Sequence, residues 1–177
     1  MELKRLARTA VAAFLATAAT SATAESGTAK ALITWDGERQ IFKISTTHML
    51  FQGDYEGIFY VETDQGEMDE AFVRCPASMR LDTESGTTSG TGHCAIHADE
   101  GDTVYASWSC KGKPGACEGT FKLEEGTGSF KGITGSSPMR IRSPLRALVA
   151  NMSSGSVMKV GSGIAILDKL EYNIPAQ

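Results

Sequence analysis

The chain has 177 residues, 41% of them hydrophobic and 21% charged, with a net charge of −4. Its first 24 residues hold Lys4, Arg5 and Arg8 against one acid, Glu2, so the other 153 carry 14 bases, 20 acids and all 19 glycines. This acidic balance argues against a polybasic nucleic-acid binder, the aperiodic glycine against a collagen, and the apolar share against a disordered tail.

Met1–Arg8 is short and basic, Thr9–Thr20 is small or apolar without a charge, and Ala22-Thr23-Ala24 has the small-x-small pattern of a cleavage site. The pattern predicts a signal peptide cut after Ala24 and a periplasmic or secreted protein. The apolar run, about a dozen residues, falls short of the roughly 20 that a spanning helix needs. Residues 25–177 are expected to form one domain.

From there the hydrophobic period is two, with turn signals every ten or so residues. Ala31, Ile33 and Trp35 lead to an expected turn at Asp36-Gly37, then Phe42 and Ile44, a hairpin pattern. Ile58–Val61 reads as a buried strand, with a turn at Asp64-Gln65-Gly66. Ala71–Leu81 contains Pro76, which predicts an edge or a bulge. Thr83–Gly92, rich in Thr, Ser and Gly, reads as an exposed loop, followed by a short strand over His93–Ala98. Val104, Ala106 and Trp108 share one strand face, and Phe121 and Leu123 share another. Further strands are expected over Met139–Leu148, Val157–Val160 and Ile164–Ile174, while Arg146–Met152 is ambiguous with a helical turn. Eight to ten short strands predict an all-β, antiparallel, roughly eight-stranded lipocalin-like barrel, with a sandwich as the alternative.

Cys75, Cys94, Cys110 and Cys117 are even in number and follow a leader for export, so they are read as disulfides. Three pairings exist. Cys110 and Cys117 flank a turn-rich linker, Lys111–Ala116, which favours a hairpin cross-link and leaves Cys75 for Cys94.

The most patterned stretch is Gly126-Thr127-Gly128-Ser129-Phe130-Lys131-Gly132-Ile133-Thr134-Gly135. Its glycines permit tight turning, and Phe130 is expected to anchor a strand in the core. The stretch resembles the Gly-Thr-Gly-x-Phe-x-Gly-x-x-Gly signature of the allene oxide cyclase–dirigent superfamily. The preceding Gly-x-Cys strand and acidic turn are similar to those of its small secreted bacterial members. That resemblance implies an eight-stranded barrel with a central cavity, and it transfers no catalytic residue.

Tyr55, Tyr60, Trp108 and Tyr172 are candidates to line such a cavity. Arg140, Arg142 and Arg146 share strand parity and form a basic stripe fit for an anion or a partner. His93, Cys94 and His97 have superficial metal spacing, but 93 and 97 share a strand face that 94 does not, so no metal site is expected. The acidic Asp99–Asp102 lacks the pattern of a calcium loop. No nucleotide motif, cofactor motif or catalytic triad is present. The preferred reading is a non-enzymatic barrel that binds a small apolar or amphipathic molecule. The alternatives are an isomerase or cyclase using a buried acid such as Glu62 or Glu118, and an envelope interaction module with a filled core.

Overall fold

A computed structural model of the chain describes residues 24–63, 66, 68–98, 101–144 and 156–177, the last segment by backbone alone up to residue 160. Residues 1–23 of the expected signal peptide, Arg146 and the ambiguous 146–152 turn lie outside the described residues. Eight strands form the fold: β1 Glu25–Lys43, β2 His48–Thr63, β3 Met68–Asp82, β4 Thr87–His97, β5 Thr103–Lys113, β6 Ala116–Gly126, β7 Thr134–Arg142 and β8 Ser156–Ile174. Each pairs antiparallel with its neighbour in sequence, and β8 returns to β1, so the sheet closes as a barrel. Closure leaves no strand edge exposed.

The period-two pattern sorts the side chains. Ala29, Ala31 and Ile33 of β1, Val73 of β3, Phe121 and Leu123 of β6, and Leu167 and Leu170 of β8 are buried inside. Lys30, Glu56, Arg74, Glu118, Lys122 and Arg140 stand exposed on the outside. An apolar interior with charges outside is the reverse of a transmembrane barrel's arrangement. Among the described residues no helix is long and apolar enough to cross a membrane. Phe121, Ile41 and Leu167 are wholly buried, and each such side chain stabilises by roughly 1.5–3 kcal/mol.

Several elements depart from the sequence reading. Asp36-Gly37 is not a turn but lies mid-strand in the 19-residue β1, where Gly37 pairs with Tyr55 on one side and Gly161 on the other. The reversal comes later, where Ser45 Oγ accepts from the backbone N–H of Thr47 and His48. Thr87–Gly92 is strand rather than loop, with Thr88, Gly90 and Gly92 buried on its inner face. Pro76 sits within β3 and not at an edge. It faces Asp54 of β2, and the β3–β4 ladder lapses between Arg74↔Ala95 and Ala77↔Gly92, where its missing N–H would fall. Residues 156–174 form one long strand instead of two.

Both disulfides join the residues expected. Cys75 and Cys94 link β3 to β4 with Cα atoms 4.1 Å apart, and Cys110 and Cys117 bridge the β5–β6 hairpin at 5.6 Å. Chain-entropy reasoning gives the first, with the longer loop, about 3 kcal/mol and the second a little less.

The glycine motif forms a turn. Gly128–Phe130 is one turn of 3-10 helix between β6 and β7, so Phe130 packs half-buried against the core from a turn, not from a strand. Asp102 holds that turn, its Oδ2 accepting from the Ser129 backbone N–H at 2.9 Å and from Ser129 Oγ at 2.7 Å. Gly128 has φ +49° and a methyl group there would overlap the Asp102 carboxylate, so glycine meets two demands at that position.

Candidate functional site

The barrel interior is divided by a pair of rings. Phe59 and Phe121 stack with centroids 6.4 Å apart, and each lines the space on a different side of the pair. On the side toward the β5–β6 hairpin lie two cavities, about 60 Å³ deep in the barrel and about 200 Å³ nearer the hairpin. Trp35, Met79 and Ile141 line both, so the two adjoin.

Aromatic side chains shape the deep cavity because the strands opposite them are bare. Trp108 pairs with Gly92, where a methyl group would come within 2.5 Å of the indole Nε1. Trp35 pairs with Gly163, where a methyl group would lie 2.5 Å from the indole Cζ2. Trp35 in turn meets the Tyr55 ring edge-on, with centroids 5.2 Å apart. Burial raises the Tyr55 pKa, with the nearby Arg39 opposing in part, so its phenol stays protonated at neutral pH.

Arg39, only 5% exposed, lines the 200 Å³ cavity. Its guanidinium carbon lies 5.8 Å from the Tyr55 ring centroid, a cation–π contact. Its Nε and Nη2 are buried and have no hydrogen-bond partner among the described residues, and neither has Thr88 Oγ1 in the same cavity wall. A buried charge with unmade hydrogen bonds is costly, so this is a place of unusual chemistry. Strand alternation with Ile33 and Ile41 on β1 puts it inside, beside an irregularity in β8. Between Gly37↔Gly161 and Arg39↔Met158, β8 carries one residue more than β1, a bulge that re-aims the side chains beside it.

The two ends of the barrel differ in charge. Among the described residues, Arg39, Arg80 and Lys113 line the 200 Å³ cavity and no acid does. The opposite cavity, about 450 Å³, is lined by Glu25, Asp69, Glu70 and Asp102, and by no base.

The expected aromatic residues are thus separated. Tyr55 and Trp108 line the deep cavity; Tyr172 lines the opposite one and donates from its hydroxyl to Glu25 Oε1 at 3.0 Å. Tyr60 follows the inward Phe59 and faces outward with Glu62, lining none of these cavities. In the basic stripe Arg140 pairs with Asp168 at 2.6 Å and Arg142 with Glu118 at 2.9 Å. The acids proposed for catalysis do not reach the interior: Glu62 and Glu118 are both exposed on the outer face. Among the described residues the buried polar or charged side chains are Arg39, Thr88 and Ser137, none an acid. His93 and His97 are exposed and Cys94 is buried, as strand alternation requires, and no group of metal-binding side chains forms among the described residues.

Sequence reading passed over Trp35, Met79 and Arg39. The signal for Arg39 was available. Ile33, Trp35, Gly37, Arg39 and Ile41 share one parity, and reading Asp36-Gly37 as a turn cut that series in two. Comparison with protein-family models, curated proteins and solved structures finds no match to this chain.

Proposed function

We propose that this protein is an exported, non-enzymatic barrel that binds a small apolar or amphipathic molecule in the cavities on the hairpin side of the Phe59–Phe121 pair. The observation that carries the reading is the adjoining space walled by Trp35, Tyr55, Met79 and Trp108, where glycines opposite the indoles keep room for large rings. Cavities of about 150 Å³ lined by apolar side chains bind benzene-sized molecules, so the 60 Å³ deep cavity with the adjoining 200 Å³ one offers room for a short chain or single ring. The resemblance of Gly126–Gly135 to barrels with a central cavity agrees with this. Two disulfides favour an oxidising compartment, in keeping with the signal sequence.

The chain holds two tryptophans, and both border the cavity, so intrinsic fluorescence reports on it directly. Titration with octanol, a neutral probe, is expected to shift the emission saturably. Native mass spectrometry of protein taken from its own periplasm is expected to show a bound small molecule. No response to octanol, no co-purified molecule and no binder in a broad lipid and metabolite screen would together overturn the reading.

A further inference from the structure

We propose that Arg39 is the head-group site for a monocarboxylate bearing a short alkyl or single-ring tail. The inference deepens the reading above and rests on it, because it names the class of molecule that the cavity takes.

The donors on offer are specific. Nε and Nη2 project from the same edge of the guanidinium, and these are the two nitrogens without a partner among the described residues. Two parallel N–H groups on one edge match the two oxygens of a carboxylate, which they hold in a fork. The side chain is more than nine-tenths buried and lines the 200 Å³ cavity, so the edge is presented inside the barrel.

Among the described residues no acid lines the 200 Å³ cavity, and Glu56, which borders the deep cavity, is exposed and lies 3.6 Å from Arg74 Nε. Residues 143–163, which join β7 to β8 and supply the β8 backbone beside Arg39, contain no Asp or Glu. Asp54, close in sequence to Tyr55, is bound on the outer face by Arg74. A single buried cation over the Tyr55 ring balances one negative charge, which favours a monoanion over a phosphate dianion. Arg80 and Lys113, both exposed, border the same cavity and add positive potential at this end of an otherwise acidic protein. The acid-lined opposite cavity repels it. The tail then lies toward Trp35, Met79 and Trp108, where the wall is apolar.

The test uses the full chain with both disulfides oxidised, at neutral pH, and reads tryptophan fluorescence against octanoate, octanol and octyl phosphate. Octanoate is expected to bind at least tenfold more tightly than octanol. Arg39→Met is expected to reverse that order. Arg39→Lys, which keeps the charge but not the fork, is expected to restore only part of the preference. Should Arg39→Met fail to fold, Gly161→Ala, which pushes the guanidinium aside, serves in its place. Equal affinity for octanoate and octanol in the unmodified chain overturns this inference and leaves the cavity reading standing. Tighter binding of octyl phosphate than of octanoate overturns the carboxylate assignment, and binding of none of the three overturns the cavity reading as well.

Discussion

The guanidinium of Arg39 lies against the bare backbone of Gly161, where a methyl group would overlap Nη2. Arg39 therefore occupies volume that any other residue at position 161 would claim. Because the overlapped atom is the far end of a flexible side chain, Gly161→Ala displaces the guanidinium and leaves the strand in place. The expected loss of stability is below about 1 kcal/mol in urea denaturation. The preference for octanoate over octanol is expected to fall at least threefold. A variant that folds normally and keeps the full preference would show that this contact does not aim the guanidinium.

Arg39 is also a thermodynamic liability. Two of its donors are buried without partners among the described residues, and desolvating a charge without compensation costs several kcal/mol. Methionine is shorter than arginine, flexible and uncharged, so it fits the space without strain. Arg39→Met is expected to stabilise the protein by about 1–3 kcal/mol, seen as a higher urea midpoint at an unchanged slope. Gain of stability with loss of carboxylate binding is the trade expected of a residue kept for a ligand. A destabilised Arg39→Met would mean that the guanidinium is satisfied in the folded protein.

Gly92 and Trp108 are coupled across β4 and β5. A methyl group at position 92 would meet the indole at Nε1, Cε2 and Cζ2, all within 2.9 Å, and a rigid ring has little room to yield. Gly92→Ala is expected to cost roughly 1–3 kcal/mol by overpacking. Trp108→Phe alone is expected to cost a similar amount through the space that it leaves. The double variant should be more stable than the sum of the two by at least about 1 kcal/mol, measured in a double-mutant cycle. Additive costs would argue against the direct contact.

These glycines also explain how much of the molecule could be read from its sequence. Alternation at Ala31, Ile33 and Trp35, or at Val104, Ala106 and Trp108, needs only the neighbouring residues, and from such runs the barrel and both disulfides were legible. Thr87–Gly92 was not, because its small residues carry no hydrophobic signal of their own. They are inward positions emptied to admit Trp108 from the next strand. Gly37 misled for a related reason: Asp-Gly is a strong local turn signal, yet this glycine is fixed by Tyr55 on the next strand and by Gly161, more than a hundred residues later. Arg39 was lost with it. Its burial depends on β8, more than a hundred residues later, and parity alone cannot separate an inward arginine from a misread register. The outer stripe had the opposite fault. Arg140 and Arg142 stood out as unpaired bases in the sequence, and their partners, Asp168 and Glu118, come from the strands on either side.

The glycine-rich turn makes a prediction about pH. Hydrogen bonds from the Ser129 hydroxyl, then from its backbone N–H, hold the Asp102 carboxyl below the usual aspartate range. A carboxyl whose folded pKa is depressed stabilises the protein above its unfolded pKa, about 4, and that contribution is lost as pH falls through the folded value. Asp82 behaves alike through Ser85 and Glu84 at the other end of the barrel, and the two sites share no partner. Asp102→Asn removes the charge and leaves the side chain's size. The variant is expected to be less stable than the parent at neutral pH, and the gap should narrow as pH is lowered from about 4 to about 2. Urea denaturation at stepped pH, with Asp82→Asn as the parallel case, measures both gaps. A gap for Asp102→Asn that stays constant to the lowest pH would mean that the Ser129 hydrogen bonds do not depend on the carboxylate charge, and that the turn is held by Gly128 and the Thr103–Thr127 pairing alone.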